Sequence, residues 1–175
     1  GGSAIIDQLT YTYQTNSNKL SIVNDAANNP LSKLGDFHYT GTKQSYDYNY
    51  DGNGNLVLDN NKAISNIAYN YLNLPQTVTV TSKGTIAYTY DASGNKLLKT
   101  TVDNTIVPAK TTTTAYIGGI VYQNDTLQFI AHEEGRTRWA LHRYVNGTSK
   151  YGFEYDYFLK DHLGNTRMVL TQEKD

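Results

Sequence analysis

Acid, amide and imidazole side chains gather at three places in this sequence. In "YDYNYDGNGNL", which begins at Tyr46, the oxygens of Asp51, Asn53 and Asn55 stand at every second position, as in the opening of a calcium loop. An EF-hand loop also needs a glycine directly after the third ligand and a bidentate Glu at its end, and here those places hold Leu56 and Lys62. In "HEEGR" from His132, the zinc-protease pattern would need a second imidazole where Arg136 stands, together with a helix to bring both rings to one face. Asp161-His162 sets an acid beside an imidazole, but neighbours on a tight turn point apart. His38 and His142 add no spaced cluster, and no Gly-x-Ser-x-Gly elbow marks a nucleophile. A metal-dependent hydrolase around His132 or His162 is therefore the weakest of three readings; no catalytic residue, metal or cofactor is expected.

The elements around these residues explain them better. "YNYDGNGNLVLDN" from Tyr48 aligns without gaps with "YTYDASGNKLLKT" from Tyr88, and the turn returns as Asp161-His-Leu-Gly164-Asn165. Degenerate copies begin at Tyr11, with Gln14 and Ser17 in the Asp and Gly places, and at Tyr69, with Pro75 in the glycine slot. The first tyrosines at 48, 69 and 88 are 21 and 19 residues apart, which fits one β-hairpin per repeat. Asp at the start of such a turn accepts from the backbone two residues on, and Gly at the fourth place takes positive φ, giving a type I turn with a G1 bulge. Tyr50, Asp51, Gly54 and Asn55, their counterparts Tyr90, Asp91, Gly94 and Asn95, and Asp161, His162, Gly164, Asn165 and Arg167 are thus a structural turn motif.

Alternation supports strands. Ile67, Tyr69 and Tyr71, then Ile86, Tyr88 and Tyr90, hold one parity, and Tyr151, Phe153, Tyr155, Tyr157 and Leu159 hold it longest. That pattern predicts tyrosines packed across strands on a buried face. Glu133-Glu134 reads as a polar hairpin tip, and Asn124-Asp-Thr126 and Asn146-Gly-Thr148 as turns that also match the glycosylation acceptor pattern. Asn24 to Leu34, interrupted by Pro30, allows a helical turn or a loop.

Composition agrees: of 175 residues, 22 are Thr, 18 Asn and 16 Tyr, types suited to strands and turns. The expected fold is all-β, antiparallel hairpin repeats in an open, twisted and curved sheet, as a single domain over 1–175 long enough for a real core. Within it, 1–8 is a boundary segment whose Gly1-Gly2-Ser3 reads as a cloning scar or trimmed end, 9–110 holds the hairpin repeats, and 111–175 a second region. A net charge of −1 gives no footprint for nucleic acid. No apolar run is long enough to span a bilayer as a helix, and no signal peptide opens the chain. Zero cysteines remove disulfides and thiolate chemistry.

The Tyr-x-Tyr-Asp-x-x-Gly-Asn-x-Leu units at 48 and 88, "YNYLNLPQTVTV", and above all "YFLKDHLGNTRMVL" at 157–170 resemble the YD-repeat, or RHS-repeat, family, over roughly Leu9 to Leu170. The last segment looks like the start of the RHS repeat-associated core region, and "VYQNDTLQFIAHEEGR" is similar to Bacteroidetes-type members. The resemblance implies a non-enzymatic scaffold of a secreted or cell-surface bacterial protein, part of a β-shell that encloses a C-terminal polymorphic toxin. Its partners would be neighbouring repeats, a cargo not contained in these residues, or a second copy at an exposed sheet edge. The chain stops before the family's Asp-Pro cleavage segment, so self-cleavage is not expected. The second reading is a carbohydrate-binding or adhesive module that uses Tyr122, Trp139 and Tyr144.

Overall fold

The structure, a computed structural model, describes residues 5–27, 37–39, 43–144 and 147–172. Fourteen strands lie among the described residues. They are β1 (Leu9–Tyr13), β2 (Leu20–Asp25), β3 (Tyr48–Tyr50), β4 (Leu56–Asp59), β5 (Ile64–Tyr69), β6 (Pro75–Val80), β7 (Gly84–Tyr90) and β8 (Lys96–Asp103). The remainder are β9 (Lys110–Ile117), β10 (Ile120–Gln123), β11 (Thr126–His132), β12 (Gly135–Arg143), β13 (Ser149–Lys160) and β14 (Thr166–Thr171). One 3-10 turn, Asn60–Lys62, follows β4. Strands β3 to β14 form one open twelve-stranded sheet in strict chain order, and β1 and β2 pair as a separate two-stranded sheet. The all-β hairpin fold is as the sequence predicts. Its itemised pairings are all antiparallel.

The chain divides into two compact units, Gly1–Tyr88 with Thr101–Lys110, and Thr89–Thr100 with Thr111–Asp175. In the first, the β1–β2 hairpin meets the strands that follow through side chains. Tyr50 Oη donates to Leu20 O, and Asp47 Oδ2 accepts from Val23 N. In the second, β12 and β13 pair from Gly135↔Tyr157 to Arg143↔Ser149. Gly135 is required there, because a Cβ at that position would lie 1.9 Å from Asp156 O.

Several expectations are corrected. The core that the length allows is not seen: among the described residues Val23 is the single buried apolar side chain, whereas Asp25, Asp47, Asn61, Thr114 and Asp156 are buried and polar. A meander in one layer brings each side chain against its strand neighbours and gives it no second layer to enter. The alternation on β13 is inverted. Tyr151, Phe153, Tyr155, Tyr157 and Leu159 are the exposed side, and the side that carries Gly152, Glu154, Asp156 and Phe158 is the more buried. Long arginines from β12 cover that polar side. In the copy at Tyr69, Pro75 opens β6 and does not hold the glycine slot. Asn73, with φ 57°, holds it, so Tyr69 corresponds to Tyr50 and not to Tyr48. In the copy at Tyr11, Ser17 N donates to Gln14 O as the fourth turn residue should, but Asn16 takes the positive φ and the loop is one residue longer. Asn24 and Asp25 belong to strand β2, not to a turn or loop, and the rest of that stretch, from 28, lies outside the described residues, as does Asn146.

Candidate functional site

The Asp-x-x-Gly-Asn turn builds itself in the same way three times. Asp51 N donates to Asn55 O at 2.9 Å and Gly54 N to Asp51 O at 3.1 Å, and Gly54 sits at φ 88°. Asp51 Oδ1 accepts from Asn53 N and Asn55 N, and Oδ2 from the Asn55 side-chain amide at 2.9 Å. At Asp91 the same groups close with Ser93, Gly94 (φ 86°) and Asn95, and at Asp161 with Leu163, Gly164 (φ 83°) and Asn165. A fourth turn replaces the acid with Asn70, whose Oδ1 accepts from Leu72 N and Leu74 N.

These contacts answer the calcium question: both Asp51 oxygens are taken up by donors of their own turn. The Asn55 amide is the main reason the Asp51 carboxyl lies below its ordinary pKa, and Asn95 does the same for Asp91. Asp161 is also lowered: against the cost of desolvation stand bonds from Asn165 and from Arg167, whose Nε lies 2.7 Å from Oδ2. The Asn at the fifth place is therefore the turn's clamp, a role that spacing alone does not reveal. His162 is exposed, and the Asp161 oxygens serve Leu163, Asn165 and Arg167 instead.

Tyr50 and Tyr69 tie successive hairpins. Tyr50 Oη donates to Leu20 O at 3.0 Å and Tyr69 Oη to Leu56 O at 2.8 Å. In each case the carbonyl belongs to the first residue of the return strand in the preceding hairpin. Tyr90 stands at the same place relative to Pro75.

His132 is exposed at the end of β11, opposite Gly135, with Glu133-Glu134 as the two-residue tip. Among the described residues no three His, Asp or Glu side chains gather as a metal site would. The three candidate aromatics are not brought together. Tyr122 lies on β10 with β11 between it and β12, and Tyr144 begins the loop after β12, where Tyr144 O accepts from Gly147 N. Trp139, on β12, instead stacks with Tyr151 (6.1 Å between centroids, 12° between planes) and meets Phe153 edge-on at 5.0 Å. Together with Tyr155, Tyr157, Leu159, Met168 and Leu170 these rings make a half-exposed apolar face.

Two polar clusters escaped the sequence reading. Asp156 accepts from Arg136 Nε (2.8 Å), Arg138 Nε (2.6 Å), Arg138 Nη2 (3.0 Å) and Thr171 Oγ1 (2.8 Å). The Arg138 bonds come first among the causes that hold its carboxyl far below the usual range. The second cluster joins Lys43, Asp47 and Asn61. Lys43 Nζ lies 2.6 Å from Asp47 Oδ2 and 3.1 Å from Asn61 Oδ1. Period-2 reading could have flagged Arg136, Arg138 and Asp156 as one face, but nothing in the sequence joins Lys43 to Asn61. No protein-family model matches this chain, and no curated protein matches it either.

Proposed function

We propose that the chain is a non-enzymatic scaffold: a run of YD-type hairpins from a secreted or surface-exposed bacterial protein, forming part of a β-shell around a polymorphic toxin. The observation that carries this reading is one five-residue turn, repeated bond for bond at Asp51, Asp91 and Asp161. Tyrosine hydroxyls fasten each hairpin to the one before, as Tyr50 and Tyr69 show. Such a unit extends by adding copies of itself, and its motif residues serve register rather than turnover. Electron microscopy of the native gene product tests this: further hairpins are expected to continue the sheet past β3 or β14 and to surround a cavity. A product in which both strands remain free edges removes the shell.

The half-exposed rings on β12–β14 favour a second reading, adhesion to carbohydrate, since flat aromatic faces stack on the apolar faces of sugar rings. A glycan array gives the contrast. Binding that Trp139→Ala and Tyr151→Ala abolish favours this second reading, and an empty array ends it.

A further inference from the structure

Lys43, Asp47 and Asn61 form an arrangement that neither the turns nor the ring face uses. Asp47 is fully buried, Asn61 is 2% exposed, and the Lys43 side chain is 21% exposed. Lys43 Nζ sits 4.8 Å from the Tyr39 ring centroid and 6.0 Å from that of Phe37. The Asn61 amide nitrogen donates to Tyr48 Oη at 3.3 Å, and Asn61 lies in a 3-10 turn capped by Asp59 and closed by Ala63 at φ 57°. Asp47 Oδ2 is occupied by Lys43 and Val23 N, while its Oδ1 is buried with no hydrogen-bond partner.

We propose that Lys43 and Asn61 become joined by an intramolecular isopeptide bond, with Asp47 as the acid–base group and one ammonia released. A primary amine held 3.1 Å from an amide oxygen is within near-attack distance of the carbonyl carbon, and being fixed there replaces an encounter from solution. Attack needs the neutral amine, and the 2.6 Å contact supplies the route: the ammonium passes a proton to Asp47 Oδ2. Burial pushes the Asp47 carboxyl up, the hydrogen bond from Lys43 outweighs it, and the resting pair is ionic. The reaction therefore proceeds through the minor neutral pair, which is sufficient for a step that occurs once per chain.

The lone pair of Nζ forms a bond to Asn61 Cγ, and the carbonyl π electrons move to Oδ1. The attacking nitrogen gives up one further proton, relayed through the Asp47 carboxyl to Asn61 Nδ2. The Cγ–Nδ2 bond then breaks, the carbonyl re-forms, and ammonia leaves. It takes the proton first lent to Asp47, departs as ammonium, and restores the carboxylate. Three ammonium hydrogens and two amide hydrogens become one amide N–H and four on ammonium. No oxidant or cofactor takes part. Asp47 Oδ1 has the second role in this scheme, since Asn61 is close enough to contribute to the lowering of the Asp47 pKa. The bond closes a loop between positions 18 apart and gives a cysteine-free chain a covalent staple beside Val23.

Intact-mass measurement of the purified chain tests this, followed by digestion and fragment sequencing. The expected result is a mass short by one ammonia and a branched peptide that links Lys43 to Asn61, with full mass restored in Lys43→Arg and in the near-isosteric Asp47→Asn. Succinimide formation at Asn53-Gly54 would release ammonia too, so a deficit that persists in Lys43→Arg overturns the proposal. So does a wild-type chain of full mass in which Lys43 and Asn61 appear on separate peptides after prolonged incubation. Should both variants fail to fold, the wild-type digest alone still decides.

Discussion

Asp47 and Asp156 are the most deeply buried large side chains among the described residues, and both are carboxylates, yet they are held in opposite ways. Around Asp156 every acceptor position is used: two arginines and a threonine from the flanking strands converge on both oxygens, and Arg138 is held in turn by Glu154 at 2.6 Å. Around Asp47 one oxygen is crowded and the other has no partner, and its cation is a lysine that also faces an amide carbonyl. The difference separates a structural ion pair from an arrangement able to react. Guanidinium is planar, permanently charged and not a nucleophile at neutral pH, whereas an amine can surrender its proton to the acid beside it. A closed network leaves no atom for chemistry, and an open one does.

The comparison can be broken first by deletion. Asp156→Ala would leave two arginines beside an empty site and should lower stability by ~3 kcal/mol in urea unfolding, at the lower end for a buried pair because both arginines are about a third exposed. Asp47→Ala should cost less, roughly 2 kcal/mol, because the Lys43 stem can swing toward water. A reversed order would overturn the assignment of Asp156 as the tighter network. Acid sharpens the same contrast. The Asp156 carboxyl lies below its ordinary value, so its contribution is fully present above the unfolded-state pKa of about 3.9 and is lost as pH falls below it. Melting temperatures of wild type and Asp156→Asn should therefore differ at neutral pH and converge in strong acid; a constant gap would exclude this linkage.

Smaller effects test the strands and turns that hold the two sites. Gly135→Ala would set a Cβ 1.9 Å from Asp156 O and should cost about 2 kcal/mol by forcing β12 away from β13. Gly54→Val, Gly94→Val and Gly164→Val each place a β-branched residue at φ near +85° and should cost roughly 1 to 3 kcal/mol. Unchanged thermal midpoints for all three would remove the turn argument. Trp139→Ala should be mildest, about 1 kcal/mol, because its ring is half in water and loses only its contacts with Tyr151 and Phe153.

The turns were legible because their chemistry is local. Asp51, Gly54 and Asn55 satisfy one another within five residues, and the same letters at 91 and 161 give the same bonds. The copy at Tyr69 was misread by two residues because Tyr71 imitates the second tyrosine of the pair. Only pairing, with Tyr69 opposite Pro75, shows that Asn70 opens the turn. The aromatic parity on β13 was read correctly, but its burial was not. Alternation tells which residues share a face and is silent on which face is covered.

By itself, then, the sequence determined the hairpins, their reversal points and the all-β class, since these depend on φ preferences, Asx hydrogen bonds and a period of two, all acting over a few residues. Tertiary structure decided where the buried carboxylates lie and what meets them. Arg136, Arg138, Asp156 and Thr171 come from three strands, and Lys43, Asp47 and Asn61 from both sides of a hairpin. Their meeting depends on strand register and on the path of the connections. Both are global properties of the fold, and no local pattern in the chain encodes either.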